Sequence, residues 1–190
     1  CRVLDAWLRE AKGKEDSGLA TLPLFLSVRA AIRAMVLLQT DAACETPGAS
    51  AGEIAAYMNL ACASLERQPP VLVAVGGCSA VGKSVLSRQF APDLGAMPGA
   101  VILASDLERK AGRRKDEALG AGAYSPDQRA AVYRAMFARA FVLLRAGQAI
   151  LLDATFLNPD LRSQAGRVAR EAGVPFLGFW LEAPLDVLKD

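Results

Sequence analysis

Residues Gly77 to Ser84 run Gly-Cys-Ser-Ala-Val-Gly-Lys-Ser, a complete G-x-x-x-x-G-K-[ST] spacing. Each position has a chemical reason. Gly77 and Gly82 let the backbone turn tightly and come close to a ligand. The amides of Cys78, Ser79, Ala80 and Val81, with those of Gly82 to Val85, can converge on one point and hold phosphate oxygens. Lys83 has the reach for β- and γ-phosphates, and the Ser84 hydroxyl suits Mg²⁺. The implied ligand is a nucleoside triphosphate with Mg²⁺, bound by residues 77–85.

Such a loop works only between a strand and the start of a helix, and the flanks agree. Val71 to Val75 is an apolar run suited to a buried parallel strand, and Val85 to Phe90 continues as a helix. Strand and helix then alternate. Further strands are expected at Ala100–Ala104, Ala149–Asp153 and Pro175–Leu181. Ser105 with Glu108 reads as a capping box. Ser125-Pro126-Asp127-Gln128 opens a helix that runs to about Arg145, and Asn158-Pro159 opens another that ends near Gly173. This is βαβ repetition: an α/β fold, a phosphate-loop parallel sheet flanked by helices.

Residues 1–68 read differently, as helices over Val3–Lys12, Leu22–Leu38 and Ala51–Glu66. Gln68-Pro69-Pro70 marks the boundary with a second region, 71–190. The chain reads as cut at both ends, and the sheet as lacking its last strand.

In open parallel sheets, ligands lie beyond the carboxyl ends of the strands, and two acids fall there. Asp153 ends a strand and can hold Mg²⁺ opposite Ser84; the alternative is an Asp that caps a turn. Asp106 follows another strand and can take the proton of an attacking hydroxyl, or merely complement a helix dipole. Arg109, three residues on, either holds an acceptor or forms a surface ion pair. Cys78 is a small loop filler or, near a helix start, a favoured thiolate. The basic run Arg113-Arg114-Lys115 either meets an anionic substrate or is a solvated loop.

Composition narrows the chemistry. The chain has 190 residues, is 53% hydrophobic and carries a net charge of +2, so a sizeable core is available and no strong preference for nucleic acid is expressed. No aromatic interleaving supports a single-strand groove. There is no histidine, which excludes histidine-based acid–base chemistry and metal sites within this sequence. Cys1, Cys44, Cys62 and Cys78 are too scattered for a disulfide framework, which fits a reducing cytoplasm. No apolar run reads as long enough to span a membrane; Leu22–Leu26 soon meets Arg29 and Arg33.

Three segments together, 73–84, Ser105-Asp-Leu-Glu-Arg-Lys110 and Leu151-Leu-Asp-Ala-Thr-Phe-Leu-Asn-Pro159, resemble the P-loop kinase-like ATP-binding domains of the polynucleotide kinase, zeta-toxin and chloramphenicol-phosphotransferase group. The resemblance implies Asp106 as general base, Arg109 on the acceptor, and Thr155 and Asn158 near the site. Asn158 is also a plain helix cap. The whole arrangement is similar to a bacterial two-part protein in which an aminoglycoside-phosphotransferase-like domain precedes this one. Leu22–Ala34 would be the helical tail of that first domain, and lid arginines would lie beyond Asp190.

The expectation is therefore transfer of the γ-phosphoryl group of ATP to an acceptor hydroxyl. Lys83, Asp106 and Arg109 are the candidate catalytic residues, and Ser84 and Asp153 the metal ligands. Rival readings are a regulatory ATP-binding module, a polynucleotide 5′-hydroxyl kinase and an ATPase.

Overall fold

The computed structural model describes residues 2–11, 13–43, 48–110 and 125–184. Contacts divide the chain into two units. One combines Cys1–Ser17 with Pro69–Asp190; the other is Gly18–Gln68. The boundary expected at residues 68–70 is present, but the first seventeen residues group with the second region.

The larger unit is a four-stranded parallel sheet in the order β2-β3-β1-β4. Its strands are β1 (Leu72–Gly77), β2 (Val101–Ala104), β3 (Ile150–Asp153) and β4 (Phe176–Leu181). Leu72 pairs with Ile150 on one side and Phe176 on the other, and Ala104 pairs with Asp153. β1 and β3 are wholly buried. β1 extends two residues further than its apolar run, through Gly76 and Gly77, because β4 continues the ladder to Gly77–Leu181. Sheet pairing there outweighs the poor strand propensity of glycine. β4 forms the sheet edge, and its aromatic residues Phe179 and Trp180 are 43% and 44% exposed.

Alternation along the strands sends Val73, Val75 and Leu151 to one side, where they form a core cluster with Ala91, Ala100 and Ala149. Leu86 of α4 (Lys83–Phe90) packs on this cluster. Among the described residues, the other α-helices of the unit are α1 (Arg2–Glu10), α5 (Ser105–Lys110), α6 (Pro126–Arg145) and α7 (Pro159–Ala172). The start of α6 is as the sequence predicts: the Ser125 hydroxyl accepts from the Gln128 amide at 3.3 Å. At α5 the outcome differs. The helix begins at Ser105 itself, and Glu108, instead of closing a capping box, gives its carboxylate to Arg139 of α6 at 2.8 Å. A half-buried guanidinium is a stronger partner than a backbone amide.

The smaller unit is a helix pair, α2 (Leu22–Ala42) and α3 (Ala51–Leu65). Along these two helices the buried positions are small or polar: Ser27, Ala30, Ala34 and Asp41 on α2, Ala61 and Ser64 on α3. Asp41 organises the connection. Its carboxylate accepts from the amides of Gly48 at 2.5 Å and Ser50 at 2.8 Å, and these bonds hold its pKa below the usual carboxylate value. α2 also exposes large apolar side chains: Leu24, Phe25 and Leu38 are between 55% and 66% exposed. The expectation that no segment is long and apolar enough to span a membrane does not hold. The helical stretch Asp16–Ala42 has a mean hydropathy of 1.7 over eighteen residues, enough by length and composition to cross a membrane. Arg29 and Arg33 interrupt the run but do not lower its average below that mark.

Candidate functional site

The strand order places the switch point of the sheet between β1 and β3. The connection after β1 leads towards β2, and the connection after β3 leads to β4 on the other side. A crevice for ligands is expected at the carboxyl ends of these two strands. The phosphate loop leaves β1 there, and Asp153 ends β3 there.

The loop's backbone is built as its motif requires. Gly77 has φ +136°, and Gly82, the residue before α4, has φ +90°. A side chain on Gly77 would collide with the carbonyl oxygen of Leu181. Ala80, at the loop's crest, holds φ +66°, an unfavourable region for a residue with a Cβ. Cys78, Ser79 and Ala80 are exposed, as are Ser84 and Val85, while Val81, Gly82 and Lys83 are half-buried. The Gly82 carbonyl accepts from the amides of Val85 and Leu86, both at 3.0 Å, so α4 starts immediately after the loop. The Lys83 ammonium lies back across the loop and donates to the Cys78 carbonyl at 2.6 Å.

Ser84 and Asp153 meet. The Ser84 hydroxyl donates to the Asp153 carboxylate at 2.5 Å, between residues 69 positions apart, and Asp153 is 6% exposed. Two hard oxygen donors side by side fit Mg²⁺, which takes one or two protein ligands and completes its shell from phosphates and water. No group of three or more acidic or cysteine side chains positioned for a metal occurs among the described residues.

Asp106 and Arg109 also meet, as a 2.8 Å ion pair on one face of α5. Asp106 is 76% exposed and Arg109 only 17%. They lie at the same sheet end, because Ala104, two residues before Asp106, pairs with Asp153. Arg113-Arg114-Lys115 lies outside the described residues.

The segment after Asp153 closes the loop's other side. The Thr155 carbonyl accepts from the Gly77 amide at 3.2 Å. Phe156 takes φ +49° and is 2% exposed. Its amide donates to the Tyr133 hydroxyl at 3.2 Å, and its carbonyl accepts from Arg162 at 2.6 Å. Asn158 caps α7, its side chain accepting from the Asp160 amide at 2.8 Å. Tyr133, Arg139 and Arg162 were not anticipated from the sequence. A signal existed for Arg139 alone: an arginine among the apolar residues of α6.

A family model described as AAA domain matches residues 72–190. Proteins Rv2004c of Mycobacterium tuberculosis (strain H37Rv) and Mb2027c of Mycobacterium bovis are each 29% identical over 181 residues, 92% of this chain. The chain spans about a third, 35%, of those relatives' length. Among solved structures, a Chloroflexus aurantiacus protein assigned as a kinase superposes with a TM-score of 0.53 at 22% identity, over 64% of each chain. A chain of the Pnkp1/Rnl/Hen1 complex gives 0.51 at 18% identity, over 65% of this chain and 39% of its own. These likenesses establish the fold, and the match over 72–190, joined to the loop geometry, identifies the chain as a member of the AAA domain family of P-loop proteins.

Proposed function

We propose that the chain binds ATP with Mg²⁺ and transfers the γ-phosphoryl group to a hydroxyl of a small acceptor. The observation that carries this reading is the Ser84–Asp153 contact at the foot of a complete phosphate loop. The loop amides and Lys83 stabilise negative charge on the phosphates; Lys83 exchanges its bond to the Cys78 carbonyl for phosphate oxygens. Ser84 and Asp153 hold the metal, which when bound neutralises charge on the β- and γ-phosphates. Asp106 accepts the proton of the attacking hydroxyl, and Arg109 orients the acceptor. The exposed carboxylate of Asp106 at the shared sheet end supports that role. Most of the rate then comes from positioning and electrostatics.

The test is calorimetric titration with ATP and Mg²⁺, with Lys83→Ala and Asp106→Ala beside the unmutated chain. Lys83→Ala is expected to weaken binding by at least tenfold. Asp106→Ala is expected to bind within twofold of normal and to lose transfer in an acceptor screen. Loss of no activity in Asp106→Ala would move the reading to a regulatory ATP-binding module. Phosphorylation of an oligonucleotide 5′ end in that screen would replace the small acceptor with a polynucleotide.

The exposed apolar face of α2 we read as the seat of an upstream domain resembling the aminoglycoside phosphotransferases, in a cytoplasmic protein. Flotation with lipid vesicles tests this; co-flotation lost in Phe25→Asp would assign the face to a membrane instead.

A further inference from the structure

Arg139 lies midway along α6, where the buried positions are otherwise apolar or aromatic. Its side chain is 14% exposed. Nε donates to Asp16 at 2.6 Å and Nη2 to the other oxygen of the same carboxylate at 3.0 Å, a two-pronged pairing. Nη1 donates to Glu108 of α5 at 2.8 Å, and Nη2 also reaches the Leu8 carbonyl at 3.4 Å. Burial works against this charge, but the two carboxylates outweigh it and raise the guanidinium's pKa above its ordinary value. One side chain thus ties together the N-terminal segment, α5 and α6.

A second tie reinforces the first. β2 lies at the sheet's edge, opposite β4. The Ile102 amide of β2 donates to the Asp5 carboxylate at 3.4 Å. Both ties therefore land on the continuous stretch β2–α5, which carries Asp106 and Arg109. α5 has only six residues, too few to hold its own orientation by helical hydrogen bonds. Its placement must come from tertiary contacts. Phosphoryl transfer is sensitive to displacements of about 1 Å in a positioned group.

We infer that Arg139 is a positioning residue for phosphoryl transfer. Through Glu108 it sets α5, and with it Asp106 and Arg109; through Asp16 it makes residues 2–17 part of the catalytic unit. The inference rests on the kinase reading given above. The hydrogen bonds of Arg139 go to Asp16, Glu108 and the Leu8 carbonyl, so the action assigned to it is through these elements and not on the reacting groups.

The experiment compares Asp16→Asn, Glu108→Gln, Arg139→Lys and Arg139→Gln in the intact chain. It measures affinity for ATP with Mg²⁺, kcat and KM for ATP in turnover, and hydrogen exchange of the α5 amides against those of β1. Glu108→Gln and Asp16→Asn should leave ATP affinity and KM within twofold. They should lower kcat by tenfold or more and speed exchange in α5 but not in β1. Arg139→Lys should retain more turnover than Arg139→Gln. Unchanged kcat in both Asp16→Asn and Glu108→Gln would overturn the inference, as would a parallel fall of ATP affinity and kcat, which marks general destabilisation. If the unmutated chain binds ATP but transfers nothing, the kinase reading fails separately. Exchange in α5 then decides alone: unchanged exchange in Asp16→Asn overturns the N-terminal tie.

Discussion

At the foot of the phosphate loop, the Ser84 hydroxyl and the Asp153 carboxylate lie 2.5 Å apart, and these are the two oxygens we propose hold Mg²⁺. Replacing Asp153 by Asn keeps the shape and removes the charge. A hydrogen bond to a charged group contributes about 1.5–3 kcal/mol, so the Mg²⁺-dependent gain in ATP affinity should fall by about tenfold or more. Titrations with and without Mg²⁺ check this; an equal loss in both would make Asp153 a structural acid. Gly77 offers a separate test of the loop's backbone. A methyl group there meets the Leu181 carbonyl and sits at φ +136°. Left-handed backbone alone costs roughly 1–2 kcal/mol, and the collision adds to it. Gly77→Ala should therefore lower stability by about 2–4 kcal/mol in denaturant unfolding. The positive-φ turns at Gly77 and Gly82 were legible because the motif prescribes local backbone geometry. The Ser84–Asp153 contact was legible too, since strand ends converge in a parallel sheet. Tyr133 was not. Its bond to the Phe156 amide depends on how α6 crosses the sheet, and no local spacing encodes that.

Among the elements, those with their own start and stop chemistry were the legible ones. α6 and α7 begin at Ser125-Pro126 and Asn158-Pro159 and end before Gly147 and Gly173, both at positive φ. For Asn158 the structure assigns the side-chain oxygen to the cap, the plainer of its two expected roles. α5 was misread at its cap, because Glu108 is claimed by a residue 31 positions away. The link between α2 and α3 depends similarly on Asp41, whose carboxylate gathers two amides from beyond the helix. Its lowered pKa fixes the sign of a pH effect. A carboxylate whose folded pKa lies below its unfolded value of about 3.9 stabilises the fold above that value. That contribution is lost as pH falls through the folded pKa. Asp41→Asn should thus destabilise α3 at pH 7, read as faster amide exchange over Ala51–Leu65. The difference from the unmutated chain should shrink steadily below about pH 4. A difference that persisted unchanged at lower pH would assign the effect to shape rather than charge.

At the scale of the molecule, the division of the chain was legible at residues 68–70 and not at 17–18. Pro69-Pro70 interrupts the helical pattern locally. The return of residues 2–17 to the sheet unit depends on pairs such as Asp16 with Arg139, 123 positions apart. The family match, which begins at Leu72, leaves this segment out. Besides the α2–α3 pair, a chain beginning at Pro69 gives up the burial of Leu8, which is 1% exposed, the Asp5 bond to the edge of β2, and on Arg139 both the Asp16 carboxylate and the Leu8 carbonyl. Burying a leucine contributes about 2 kcal/mol. Breaking a buried ion pair costs about 3–5 kcal/mol when its partner stays dry. Here water enters as the segment leaves, and Glu108 remains bound, so the electrostatic loss is smaller. Residues 69–190 should therefore fold but be about 2–4 kcal/mol less stable than the intact chain. Urea unfolding followed by Trp180 fluorescence measures it, with Trp7→Phe in the intact chain so that both chains report from the same residue. Equal stability would place the true boundary where the prolines are; a loss of the expected size would make the first seventeen residues an integral layer of the P-loop unit.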